Sequence, residues 1–184
     1  MIYSMKTIIR QSLPVLLLAG ALSIAAGLVL HNNSEMLFAL PGILAIVPSF
    51  NNMGGSVTAV LSCRLSSALH LGLIHPKIRR TKTLQRNIIA TLIIAVLSFL
   101  ALGFIAGGLN MMIGLESINM ISFMIIVLIA GFLTVLILLM LSVILSYATY
   151  SRGIDPDNMV IPILTSVGDL IGVVLLFVML TMMI

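Results

Sequence analysis

Five apolar stretches, each long enough to cross a bilayer, dominate this chain. A spanning helix needs about 20 consecutive apolar residues. The first stretch runs from about Leu13 to Leu30 and ends at the polar patch His31-Asn32-Asn33-Ser34-Glu35. The second begins near Met36 and continues to about Leu73. After a basic loop from His75 to Arg86, the third covers about Asn87 to Leu109. A short turn containing Asn110 and Glu116 leads to the fourth, about Ile118 to Tyr147, which is long enough to demand tilt or overhang. The loop Tyr150 to Asn158 precedes the fifth, which runs from about Met159 to the C-terminus. This pattern predicts an all-α membrane protein with five transmembrane helices per protomer. Composition agrees: of 184 residues, 61% are hydrophobic and 8% charged, against roughly 25% charged in a soluble domain. The length suits one transmembrane domain over residues 1–184 and leaves nothing for a soluble regulatory domain.

The charges predict the orientation. Lys6 and Arg10 precede the first span, Lys77, Arg79, Arg80, Lys82 and Arg86 lie between the second and third, and Arg152 lies between the fourth and fifth. The other two loops carry only Glu35 and Glu116. With five spans, every basic segment falls on one side by parity. The positive-inside rule makes that side, and the N-terminus, cytoplasmic, and places the C-terminus outside a multi-pass cell-membrane protein. The net charge of +4 is therefore read as topology signal and headgroup contact, with lipid as the partner and no nucleic acid. A cleaved signal peptide is the alternative for the N-terminus, but the run is long for one and contains Pro14 and Gly20. One cysteine, Cys63, excludes an intrachain disulfide and a cysteine-based metal cluster.

Two regions break the apolar pattern at a cost in free energy. Inside the second span lie Pro41-Gly42 and then Pro48-Ser49-Phe50-Asn51-Asn52-Met53-Gly54-Gly55-Ser56. Proline removes a helical hydrogen bond, and paired glycines weaken the helix further. A broken helix at membrane depth survives only in protein or along a wet cavity, where transporters expose oxygens to cations. A simple kink, or close helix packing through Gly54 and Gly55, explains the same residues. Both readings stand at this stage.

The second region is Asp169. It lies eleven residues past Asn158, roughly 16 Å along a helix, and so near the bilayer midplane. An isolated aspartate there costs at least ~2.5 kcal/mol, which makes it a functional-site hypothesis by default. A structural ion pair is the alternative. Arg64, the one candidate base within a span, belongs nearer the cytoplasmic end. Asn158, Pro162, Thr165, Asp169 and Gly172 follow at intervals of four, three, four and three, which is one stripe of a helix. An amide, a hydroxyl and a carboxylate are all oxygen donors, as hard cations such as Mg²⁺ require. One carboxylate per chain is thin for a divalent ion. A twofold axis would bring two copies of Asp169 together around an ion that keeps some of its water. Without the ion the pair would repel, so cation-dependent structure and a block at low pH are expected.

The remaining candidates are weaker. His31, His70 and His75 do not share a helix face at ligand spacing, and the 13 methionines are scattered apolar filler. Asp155 and Asp157 either cap the fifth span or bind a cation at the cytoplasmic mouth, the cap being favoured.

At these same two regions the sequence resembles the MgtE-type magnesium transporters and their animal solute-carrier relatives. The resemblance is carried by Val47-Pro48 through Met53-Gly54-Gly55-Ser56 to Ser62-Cys63-Arg64-Leu65-Ser66-Ser67-Ala68 in the second span. It is carried also by Asp155-Pro156-Asp157-Asn158, Pro162, Thr165-Ser166 and Gly168-Asp169-Leu170 in the fifth, and by Arg10 and Pro14 at the approach to the first. It implies a homodimer of five-span protomers with a Mg²⁺-selective pore on the dimer axis, Asp169 at the central ion site and the second span beside it. The family often has Gly-Asn where this chain has Gly55-Ser56, so a pore-lining amide is replaced by the Ser56 hydroxyl or supplied by Asn51 or Asn52. The cytoplasmic N-domain and CBS domains of many bacterial relatives have no counterpart in these residues.

The expected function is thus transport of a divalent cation, Mg²⁺ first, with the ion both cargo and structural element. The expected ligands are Asp169, Thr165, Asn158, Ser56, Asn52 and Asn51. A non-transporting scaffold subunit is the alternative, and it leaves the Asp169 stripe unexplained. An enzyme is not expected: an intramembrane aspartyl protease needs two carboxylates at depth, and each chain has one.

Overall fold

The computed structural model describes residues 5–75, 81–115 and 118–183. Lys77, Arg79, Arg80 and Glu116, used above for orientation, lie outside the described residues. Six α-helices follow one another: α1 (Met5–Asn32), α2 (Ser34–Ala39), α3 (Pro41–His70), α4 (Lys82–Ile113), α5 (Met120–Ser151) and α6 (Pro156–Met183). All but the one-and-a-half-turn α2 are long and apolar enough to cross a membrane, over Ile8–Asn32, Pro41–His70, Lys82–Ile113, Met120–Ser151 and Pro156–Met183. The described residues contain no strand.

The helix boundaries follow local chemistry. Thr81 caps α4 by accepting the Leu84 N–H on its side-chain oxygen at 3.2 Å, which starts the helix well before the expected Asn87. The α3 and α5 C-termini close through Gly72 and Gly153, both at φ +69. There Leu73 N–H donates to Ala68 C=O at 2.9 Å and Ile154 N–H to Thr149 C=O at 3.0 Å. This Schellman geometry needs the left-handed conformation that glycine adopts without penalty. At the start of α6, Asp155 Oδ1 accepts the Asp157 N–H at 3.1 Å, so Asp155 serves as the favoured cap.

The second span is broken at the first of the two expected places, Pro41-Gly42, and not at Pro48 to Ser56. The chain breaks at Leu40 (φ −131, ψ 69), ahead of Pro41 at the first turn of α3, because a residue before proline is pushed out of the helical region. From Pro41 to His70 the helix is continuous, with Pro48 inside it. Gly54 and Gly55 serve packing instead. A Cβ on Gly54 would come within 3.3 Å of Thr134 Cγ2 on α5, and one on Gly55 within 3.1 Å of the Thr165 Cα on α6. Two helix backbones approach this closely only where side chains are absent.

Helix α6 is the hub and packs against α1, α3 and α5, while α4 packs against α3 and α5. Phe50, Phe99 and Phe123 fill the core among Ile43, Ile126 and Leu176. The Phe99 ring lies directly over Gly131, where no side chain has room. Helices α1 and α6 run parallel, since Gln11 meets Asn158 and Ser23 meets Asp169. The His70 and Tyr150 rings meet edge-on at 5.1 Å, so α3 and α5 end side by side. Lys6, Arg10, Lys82, Arg86 and Arg152 therefore share one end of the bundle, as the parity argument requires.

Candidate cation site

Asp169 stands at the middle of α6, thirteen residues from its first and fourteen from its last. Each end of the helix is thus roughly 20 Å away. The half-buried carboxylate lines a cavity of about 410 Å³ between α1, α3 and α6. Thr165 lies on the same wall, one turn below. Pro48, Asn51, Asn52 and Gly55 form the α3 wall, and Ser23, Ala26, Gly27 and Leu30 form the α1 wall.

Close backbone approach shapes this space. A Cβ on Gly168 would meet Leu138 Cδ1 at 3.0 Å, and one on Gly172 would meet Asn51 Oδ1 at 3.1 Å. The bare backbone of α6 therefore lets Asn51 reach across from α3. Its Oδ1 is buried and has no hydrogen-bond partner. Such an orphaned acceptor costs about 1–3 kcal/mol.

The other oxygens are partly committed. Ser23 donates its hydroxyl to Asp169 Oδ2 at 3.4 Å. The Thr165 hydroxyl donates back to the Ile161 and Pro162 carbonyls, at 3.2 and 3.0 Å, which leaves its oxygen as an acceptor toward the cavity. Pro162 has no N–H for the Asn158 carbonyl four residues earlier. Among the described residues no lysine or arginine lines the cavity. Arg64 is exposed, thirteen residues farther along α3 than Asn51 and so roughly 20 Å away. The ion-pair alternative for Asp169 thus has no partner in Arg64.

Of the six residues expected from sequence, Asp169, Thr165, Asn51 and Asn52 come together around the cavity. Ser56 does not line it. It is exposed on α3, where its hydroxyl donates to Asn52 Oδ1 at 3.3 Å. Asn158 also lies outside, near the basic end, where its amide donates to Gln11 Oε1 at 3.4 Å. Among the described residues no group of three or more His, Cys, Asp and Glu could hold a metal. A protomer therefore offers one carboxylate with amide and hydroxyl oxygens, a set suited to a hydrated hard cation.

A sequence profile of the MgtE family, described as a divalent cation transporter, matches residues 47–179. The chain belongs to the MgtE family. Solute carrier family 41 member 3 from Rattus norvegicus is 29% identical over 173 residues, covering 88% of this chain and 37% of that protein. Solute carrier family 41 member 2 from Xenopus laevis is 31% identical over 149 residues, covering 74% of this chain and 26% of that protein. The chain thus spans well under half the length of these curated relatives. No solved structure matches it. The family is one of transporters, not enzymes.

The MgtE match contains the whole α3 and α6 walls of the cavity, while the α1 wall lies before residue 47. That wall holds what sequence reasoning missed. Gly20, Ser23 and Gly27 recur at intervals of three and four on α1. This small and polar stripe was the available signal for Ser23, which touches the central acid.

Proposed function

We propose that this MgtE-family chain moves divalent cations, Mg²⁺ first, across the cell membrane through a pore whose central site is the Asp169 carboxylate. The N-terminus and the shared basic end face the cytoplasm, and the C-terminus faces outside. The observation that carries this reading is an acid at the centre of α6, bordering a cavity that also carries Asn51, Asn52, Thr165 and Ser23 and, among the described residues, no lysine or arginine. Such an acid is tolerable in hydrocarbon only where water or a cation reaches it.

A second copy of the chain completes the site. One carboxylate does not neutralise a divalent ion, whereas two related by a twofold axis do. Helix α3 supports this arrangement. Ser49, Asn52 and Ser56 are exposed on its surface within the spanning segment, and polar groups there avoid lipid by facing a partner or an aqueous path. Asp169, Thr165, Asn51 and Asn52 then hold the ion through retained waters, because Mg²⁺ dehydrates reluctantly. Ser56 acts by orienting Asn52. Asn158 joins α1 to α6 at the cytoplasmic end, with its carbonyl freed by Pro162.

Mg²⁺ uptake into proteoliposomes tests the reading. Wild type is expected to give a gradient-driven signal that Asp169→Ala and Asp169→Asn reduce to the background of empty vesicles. Both variants should remain folded and dimeric by size-exclusion chromatography. Undiminished uptake by Asp169→Ala would overturn the central site.

A further inference from the structure

A second cavity of about 630 Å³ lies at the basic end of the molecule, between the start of α1 and the α5–α6 turn. Lys6, Arg10 and Gln11 line its outer part. Pro14 and Val15, one turn deeper on α1, line the rest together with Ile154 and Met159. Polarity therefore changes along the span axis, from two cations at the end of the bundle to apolar carbon farther in. Among the described residues no acidic side chain lines the cavity; Asp155 and Asp157, beside Ile154, face a separate cavity toward His70 and Tyr150. The flanking face of α1 shows Ile9, Leu13 and Leu17 more than half exposed, so the cavity borders the lipid-facing side of that helix.

We propose that this cavity binds an anionic phospholipid, its phosphate held by Lys6 and Arg10 and an acyl chain lying along Pro14, Val15 and Met159. Lys6 and Arg10, the charged side chains that line it, disfavour a metal cation inside this cavity. A soluble anion would gain nothing from the apolar half, whereas a phospholipid matches both halves in order. Basic pockets beside spans on the cytoplasmic side recruit such headgroups. Gln11 accepts from Asn158 beside the cavity, and Met159 belongs to α6, so the bound lipid joins α1 to the helix that carries Asp169. The proposal does not rest on the pore reading and survives its failure.

The test is native mass spectrometry of the full chain in detergent, titrated with phosphatidylglycerol or with phosphatidylcholine of the same acyl chains. Phosphatidylglycerol is expected to bind at least tenfold more tightly. Removing one cation is worth about fivefold and removing both about thirtyfold. Arg10→Gln should therefore weaken phosphatidylglycerol binding about fivefold and Lys6→Gln/Arg10→Gln about thirtyfold, with phosphatidylcholine unchanged. Lys82→Gln/Arg86→Gln removes two cations at the same end outside the cavity and should bind as wild type. Equal affinity for the two lipids, or equal loss in the two double variants, overturns the proposal. Displacement of phosphatidylglycerol by millimolar inorganic phosphate would overturn the lipid assignment in favour of a soluble-anion site.

Discussion

Between α3 and α5 the hydroxyls of Ser62 and Ser146 close on each other at 3.3 Å in a fully buried seam, whereas between α1, α3 and α6 the Asp169 carboxylate borders open space. Both regions place polar atoms at membrane depth. In the seam, Thr58, Thr134 and Thr149 return their hydroxyl protons to carbonyls of their own helices. Around Asp169 the atoms outnumber their partners. Among the described residues Asn51 Oδ1 has none, and the carboxylate has one neutral donor, Ser23. The seam also has orphans, Ser142 Oγ and Tyr147 OH, but neither is a carboxylate or lines the cavity. A polar residue in a span is thus glue when it is paired and closed, and a candidate ion site when it is charged, under-paired and open.

Substitutions can break or sharpen that contrast. The largest effect is the loss of uptake on truncating Asp169, already described. Next comes Gly55→Val, which forces a Cβ against the Thr165 backbone 3.1 Å away. It should lower stability by ~1–3 kcal/mol in a reversible detergent unfolding assay and lower uptake with it, since α3 and α6 both wall the cavity. Asn51→Ala is expected to separate the two readouts. Apparent Mg²⁺ affinity should fall on the order of tenfold, the lower end of what lost outer-shell contacts cost, while stability holds or rises because a buried orphan is removed. Ser23→Ala should weaken apparent affinity by a few-fold, about the value of one weak hydrogen bond, and Ser23→Thr should restore it. Smallest is Ser62→Ala in the seam, with a loss of ~0.6 kcal/mol of stability and wild-type uptake. A large uptake defect in Ser62→Ala with normal stability would erase the distinction between the regions.

How far the sequence could be read follows the same division. The five spans were legible because hydrocarbon enforces long apolar runs; of the donor stripe on α6, helical period brings Thr165 and Asp169 to one cavity, while Asn158 lies outside it. Asp155 was read as a cap, and it caps. The break in the second span was expected at Pro41-Gly42 or among Pro48 to Ser56 as one of two readings; it falls at Leu40, where Pro41 acts on the residue before it, and the helix runs on unbroken through Pro48 to Ser56. Gly54 and Gly55 look alike as helix weakeners or as contact points. Only the positions of Thr134 and Thr165 across the gap decide between these. Ser23 and Gln11 were missed because their roles come from α6, more than 140 residues away along the chain. Ser56, which stands where the family often has asparagine, turns from the cavity toward Asn52, a distinction that depends on rotation about the helix axis.

The most direct measurement is anomalous diffraction from crystals grown with Mn²⁺ standing in for Mg²⁺. A peak beside the Asp169 carboxylate, within water-bridged reach of Asn51 and Thr165, is the predicted result. No peak there, with Mn²⁺ bound instead at Asp155 and Asp157, would contradict the account.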